Sequence, residues 1–176
     1  MGFDPWPADN PVELEKVRFL YSECIRKKLP VTVHCSDGGF VTSPDATSLT
    51  DPSKGWQKVL DNPDYKKLKI NFAHLGSQSG QVTDWQKTII GTIESRTNVY
   101  TDCSCITPQS KDYEIISKLL NDKTESNLLF GTDFVINLIW SESYNEYLDN
   151  FIITQNLTDR QKDLICNKNP ERFLFG

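Results

Sequence analysis

Three residues that can bind a metal ion or move a proton each follow a strand-like segment of the sequence. They are His34 after the segment 31–33, His74 after the segment 69–73, and Asp133 after the segment 128–132. His34 and His74 are the only histidines in the chain. The carboxyl ends of parallel strands share one edge of a sheet, where loops converge and active sites are built. The spacing therefore predicts a cluster of two imidazoles and one carboxylate at that edge.

The elements that must position this cluster alternate along the chain. We predict strands over 31–35, 68–73, 98–102 and 128–130, with helices over 10–28, 51–60, 83–96, 110–121, 141–154 and 158–166 and a short turn from Asn169. Within the helices, Thr83 and Thr158 are predicted N-caps. Strands about 30 residues apart with helices between them indicate a parallel sheet with right-handed crossovers. The predicted fold class is α/β with four parallel strands.

Composition limits the classes of function. The 176 residues suit one domain, 1–176, and the net charge of −5 with no basic run longer than 26–28 argues against nucleic acid as a partner. The mean hydropathy is −0.47, and no apolar run approaches the ~20 residues that span a bilayer. Five cysteines form no regular disulfide framework, and the N-terminal segment lacks signal-peptide features. We expect a cytoplasmic protein in which Cys103 and Cys105 are strand-end packing residues.

Four segments, taken in order, resemble the amidohydrolase superfamily. They are Val-Thr-Val-His at 31–34, Asn-Phe-Ala-His-Leu-Gly at 71–76, Leu-Leu-Phe-Gly-Thr-Asp at 128–133 and Asn-Pro-Glu-Arg-Phe-Leu-Phe-Gly at 169–176. The closer resemblance is to the amidohydrolase 2 branch, which includes metal-dependent decarboxylases related to aminocarboxymuconate-semialdehyde decarboxylase. It implies a TIM-like (β/α)₈ barrel and a divalent metal, with zinc as the expected ion.

The resemblance also implies roles for the three strand-end residues. His34 would bind the metal, and Asp133 would bind it and accept the proton of the water that the metal activates. His74 would be a catalytic residue that polarises the substrate, either without binding the metal or as a ligand of a second metal. Imidazole and carboxylate suit Zn²⁺, which lowers the pKa of bound water from ~15.7 toward ~7. The implied activity is hydrolysis or non-oxidative decarboxylation of a small carboxylated or aromatic molecule.

The sequence departs from the family pattern in two respects. It has no His-x-His pair, and it has four predicted strands, whereas a complete barrel has eight strands and typically ~250 residues. We therefore expect the C-terminal half of a barrel that binds metal weakly and is inactive alone. Unpaired strand edges can pair with another chain, so we also expect a homo-oligomer.

Two other functions remain open at this stage. The chain could be a half-barrel remnant or interaction module without catalysis, or a cysteine hydrolase that uses Cys35 or Cys103 with His74. Strand-end loops offer further residues for substrate contact, namely Asp4, Asp37, Asp102 and Trp140.

Overall fold

The computed structural model describes residues 11–36, 51–76, 82–105, 110–133, 135 and 143–176. Helices and strands alternate through these ranges. In chain order they are α1 (Pro11–Lys27), β1 (Val31–Val33), α2 (Gly55–Asp61), β2 (Ile70–Phe72), α3 (Asp84–Ser95), β3 (Val99–Asp102), α4 (Ser110–Leu119), β4 (Leu128–Leu129), α5 (Tyr144–Ile153), α6 (Asp159–Asp163) and α7 (Asn169–Phe175). A π-helical turn, Leu164–Lys168, joins α6 to α7. None of the described helices is both long and apolar enough to cross a membrane.

The described strands form one parallel sheet in the order β1, β2, β3, β4. Val31 lies opposite Ile70, Ile70 opposite Val99, and Thr101 opposite Leu128. The predicted parallel α/β fold is confirmed. The strands are shorter than predicted, and the predicted last residues of the first, second and fourth strands, Cys35, Ala73 and Phe130, lie beyond the strand ends.

Alternate residues of each strand point to opposite faces of the sheet. The outer face packs against the helices, because Ile70, Phe72 and Val99 share a buried cluster with residues of α1, α2 and α3. A second cluster joins Leu128 and Cys103 to α4, α5 and the π-helical turn. The inner face carries Thr32, Asn71, Tyr100, Asp102 and Leu129, which the register places side by side. Polar groups therefore line the side of the sheet that would be the interior of a barrel.

Helix termini follow local capping chemistry at two of the predicted sites. Thr83 and Thr158 each form a capping box, with Gln86 and Gln161 as the reciprocal partners. The predicted start of α2 at residue 51 is wrong by several residues. The Asp51 carboxylate accepts hydrogen bonds from the backbone N–H and hydroxyl of Ser53, which hold a separate turn before the helix.

The last helix closes the amino-terminal end of the inner face. Phe173 packs on Tyr100 and Leu129, and Arg172 Nε donates to the Tyr100 hydroxyl at 3.2 Å. Lys69 Nζ donates to the carbonyls of Arg172 and Phe173 at 3.1 and 3.2 Å. The segment from residue 169 was expected to be a short turn, whereas it is the helix α7. The opposite, carboxyl end of the sheet carries the residues with catalytic chemistry.

Candidate metal centre

The structure brings the two histidines into direct contact. His34 directly follows β1, and His74 lies in a 3₁₀ turn, Ala73–Leu75, directly after β2. The rings meet edge to face, with centroids 4.9 Å apart and His74 Nε2 3.2 Å from His34 Nδ1. Their placement after adjacent parallel strands explains this contact.

His74 is held by its backbone as well as by its ring. It has a φ of 64° and is 6% exposed. Its N–H donates to Asp102 Oδ1 at 3.0 Å, which ties the turn after β2 to the end of β3. Gly76 ends the turn with a φ of 69°, and a Cβ there would lie 2.7 Å from Ile89 Cδ1. Glycine at 76 thus lets the turn lie directly against α3.

Asp102 links the turns after β2 and β3 through hydrogen bonds of its carboxylate. Its Oδ2 accepts from Asn71 Nδ2 at 2.6 Å. Its Oδ1 accepts from the N–H groups of His74 and Ser104, each at 3.0 Å, and from the Ser104 hydroxyl. Asp102 is 7% exposed and its carboxylate accepts from these four donors, so it positions the site, and the substrate contact suggested by the sequence stays a prediction.

These contacts determine which nitrogen of His74 carries the proton. The Ser104 hydroxyl has one proton, and it donates that proton to Asp102, because a carboxylate can only accept. The 2.8 Å contact between Ser104 Oγ and His74 Nδ1 therefore requires Nδ1–H as the donor. The Ser104 carbonyl, 3.4 Å from Nδ1, imposes the same tautomer. The Nε2 lone pair then points toward His34.

His34 is neutral at neutral pH. Burial and, to a lesser extent, the neighbouring His74 lower its pKa to about 4, and Asp133 and Asp102 partly oppose the shift. A neutral imidazole is the form that binds metals. Because His74 Nε2 carries a lone pair, the proton between the two rings belongs to His34 Nδ1.

One group of three metal-binding side chains occurs among the described residues: His74, Cys105 and Asp133. One ligand atom from each lies within 4.8 Å of the others. Nitrogen, sulfur and oxygen from three side chains match the donor types that bind zinc, and catalytic zinc sites use three protein ligands. The residues therefore fit a divalent metal of this kind. Sequence reasoning missed Cys105 because it sought paired-cysteine spacing, although the strand-end rule that identified His34 also applies to the turn after β3.

Cys103 and Cys35 are unsuited to nucleophilic catalysis. Burial raises the pKa of the Cys103 thiol to about 12, so the thiolate is scarce at neutral pH. Cys35 is fully buried. Cys103 lies in a buried hydrophobic cluster, which agrees with the predicted packing role.

A cavity of about 350 Å³ opens on the inner face beside these residues. That volume is within the range of small-molecule sites. Its lining includes Thr32, Asn71, Asp102, Ser104, Asp133 and Phe173. Three of the predicted substrate contacts, Asp4, Asp37 and Trp140, lie outside the described residues.

Comparisons with known proteins agree with this architecture. A family model described as amidohydrolase matches residues 1–176. Among solved structures, an uncharacterized TIM-barrel protein from Bordetella bronchiseptica is 20% identical, with a TM-score of 0.66 over 96% of this chain and 52% of that one. A 4-oxalomesaconate hydratase from Rhodopseudomonas palustris is 14% identical, with a TM-score of 0.58 over 96% and 51%. An amidohydrolase II structure is 19% identical, with a TM-score of 0.58 over 96% and 57%.

The chain spans about half the length of these solved structures, which places its four strands as half of a TIM barrel. No curated protein shows a significant match.

Proposed function

The chain belongs to the amidohydrolase family, and from this we propose that it forms the metal-binding half of a metal-dependent hydrolase-type enzyme. The family consists of metal-dependent enzymes of this type. The observation that carries the proposal is the convergence of His34, His74 and Asp133 at the carboxyl ends of the strands, beside a cavity on the inner face. We keep zinc as the expected ion.

His74 and Asp133 would hold the ion, with His34, the further imidazole that the resemblance implies, in contact with His74. Bound there, it would polarise a substrate oxygen and lower the pKa of water. We favour His74 as a ligand over the substrate-polarising role that the resemblance implied, because its Nδ1–H is used by Ser104 and its Nε2 carries a lone pair, which an ion would take over from the hydrogen bond with His34. Asp133, half-buried at the cavity, is the group we assign to accept the proton of the attacking water.

We propose a small carboxylated molecule as the substrate class. One structural relative is named as a hydratase of 4-oxalomesaconate, a small carboxylated compound. Addition of water to such a substrate uses the same activated water as hydrolysis. Non-oxidative decarboxylation, the alternative from the sequence, would also use the ion to hold a substrate carboxylate.

We also propose that copies of the chain associate. In the described part of the sheet, β1 and β4 are the edge strands. Thr32 on the inner face of β1 is exposed. A second copy could cover both edge and face. Sedimentation that shows a compact monomer at micromolar concentration would contradict this proposal.

Metal analysis tests the proposed function. The purified chain is loaded with Zn²⁺, dialysed and analysed for metal content alongside Asp133→Asn and the matched control Asp64→Asn, an exposed carboxylate far from the site. We expect Asp133→Asn to lose metal affinity at least about tenfold, as for loss of a group that tunes a metal site. Equal retention of zinc by Asp133→Asn and the parent chain would refute the proposal.

A further inference from the structure

Cys105 lies where the resemblance to amidohydrolases assigns no ligand. It follows β3 by three residues and shares the close group with His74 and Asp133. His34, which the resemblance names as a ligand, contacts His74 but is not part of that group. The third ligand available within the described chain is therefore a sulfur atom.

The backbone at all three positions adopts an uncommon, left-handed conformation. His74, Cys105 and Asp133 have φ values of 64°, 57° and 52°. They are three of the five non-glycine residues with positive φ among those described. Such residues are uncommon in proteins and concentrate at functional sites, where the fold holds them against their local preference. Here the three turns direct one nitrogen, one sulfur and one oxygen toward a common point.

Cys105 also differs from its neighbour Cys103 in its surroundings. Cys103 is 4% exposed and belongs to the core beneath α4 and α5. Cys105 is half-buried and lies beyond the carboxyl end of β3, close to His74 and Asp133. A buried core position such as that of Cys103 suits a thiol used only for packing. A half-buried position such as that of Cys105 suits a thiol that a metal ion can reach.

We propose that Cys105 binds the metal of this centre as a thiolate. The thiol proton leaves to solvent as the sulfur–metal bond forms, with no change in oxidation state. Thiolate favours zinc, cobalt and cadmium over magnesium and calcium. The location of the centre rests on the proposed function; the sulfur ligand does not. With this third ligand, the chain alone supplies the three side chains that a catalytic zinc site requires.

The ligand atoms of His74, Cys105 and Asp133 must move closer together when a zinc ion binds. Ligand atoms of a tetrahedral zinc site lie roughly 3.5 Å apart, from metal–ligand distances of about 2.0–2.3 Å. The three atoms here lie within 4.8 Å of one another, so a contraction of about 1 Å closes the site. Side-chain rotation at three turns provides that range without disturbing the sheet.

Cobalt(II) spectroscopy tests the sulfur ligand directly. The full 176-residue chain is titrated with Co²⁺ under reducing conditions, and the sulfur-to-cobalt charge-transfer band in the near ultraviolet is recorded. The variants are Cys105→Ser and a control, Cys24→Ser, which alters another half-buried cysteine on α1. We expect a band of one-thiolate intensity that saturates at one equivalent, persists in Cys24→Ser and disappears in Cys105→Ser. Cobalt affinity should fall by roughly 10–100-fold or more in Cys105→Ser.

A second measurement needs no variant. Stoichiometric Zn²⁺ should protect Cys105 from iodoacetamide, as read by peptide mass spectrometry, while Cys24 alkylates at an unchanged rate. Cobalt bound at one equivalent through Asp133 without the band, and without protection of Cys105, would overturn the sulfur ligand but leave the proposed function intact. Absence of cobalt binding would overturn both, whereas binding that shows the band but is unaffected by Asp133→Asn would overturn the proposed function and leave the sulfur ligand.

Discussion

Ser104→Ala, which removes one hydroxyl, should allow His74 to populate both of its neutral tautomers. The hydroxyl donates to Asp102 and accepts from His74 Nδ1–H, so it connects the carboxylate to the ring. Asp102 would keep its bonds from Asn71 and from two backbone N–H groups. The turn after β2 should therefore stay in place while the ring loses its orientation.

The free-energy difference between the two tautomers of His74 follows from the hydrogen bonds that each can make. In the parent chain, the Nε2–H tautomer would draw the Ser104 proton away from Asp102, and a hydrogen bond to a charged acceptor is worth about 1.5–3 kcal/mol. It would also turn the Nδ1 lone pair toward the Ser104 carbonyl. That preference should leave more than about 90% of His74 as Nδ1–H, since 1.4 kcal/mol is about a tenfold ratio. In Ser104→Ala only the 3.4 Å carbonyl contact remains, so both tautomers should be populated.

Nitrogen-15 NMR of the imidazole rings measures this directly. The chain has two histidines, and His34→Ala assigns their signals. We expect Nδ1–H at His74 in the parent chain, a mixture in Ser104→Ala, and a metal affinity lower by roughly 10–100-fold, as when a group that orients a metal-binding histidine is lost. Ser117→Ala is the control, because its hydroxyl bonds only to a carbonyl within α4.

Two results would refute the reasoning. The Nε2–H tautomer at His74 in the parent chain would show that the Ser104 proton does not go to Asp102. An unchanged tautomer and unchanged affinity in Ser104→Ala would show that Ser104 does not orient the ring.

Three further predictions concern stability. Cys105→Gly should melt about 2–4 °C above Cys105→Ala by calorimetry, because a φ of 57° costs an alanine about 1 kcal/mol that glycine avoids; the reverse order would exclude backbone strain. Gly91→Ala, within α3 and with no atom other than the backbone of its own helix within 4 Å of the added Cβ, should stabilise by about 0.5–1 kcal/mol in urea titrations. Burial, then Tyr65, raises the pKa of Tyr21 to about 12. Its contribution to folding is full below its unfolded pKa of 10.0 and is lost as pH rises through about 12, so Tyr21→Phe should flatten that decline.

The fold was predictable because its signals are local. Apolar runs such as 128–130 that end in glycine or polar residues mark buried strands, and their spacing requires helical crossovers. The capping boxes at Thr83 and Thr158 were readable for the same reason, since both partners lie within one turn. Asp51 shows the limit of such signals, because its carboxylate serves an isolated turn as readily as a helix.

The site was predictable only in part. The strand-end rule located His34, His74 and Asp133, because parallel strands bring their carboxyl ends together whatever lies between them. It could not assign Asp102 or Ser104, whose roles depend on hydrogen bonds across two strands and on the single proton of one hydroxyl. The contacts of Asp102 with Asn71 and of Ser104 with His74 join residues about 30 positions apart, and no local pattern encodes them.

Three of the five described non-glycine residues with positive φ belong to the site, so backbone conformation supports it independently of any motif. Gly131 illustrates the opposite requirement nearby, because a Cβ there would lie 3.0 Å from the Ser104 Cβ, so the position needs the smallest residue. His74, Cys105 and Asp133 adopt a conformation that glycine would accept at less cost, and each keeps a side chain instead. At about 1 kcal/mol each, the three left-handed residues together cost about 3 kcal/mol, a sizeable share of the 5–15 kcal/mol that stabilises a typical domain. Stability alone would favour glycine at these positions. What the three side chains share is a nitrogen, a sulfur and an oxygen close to one another, and binding one ion gives a reason to retain all three.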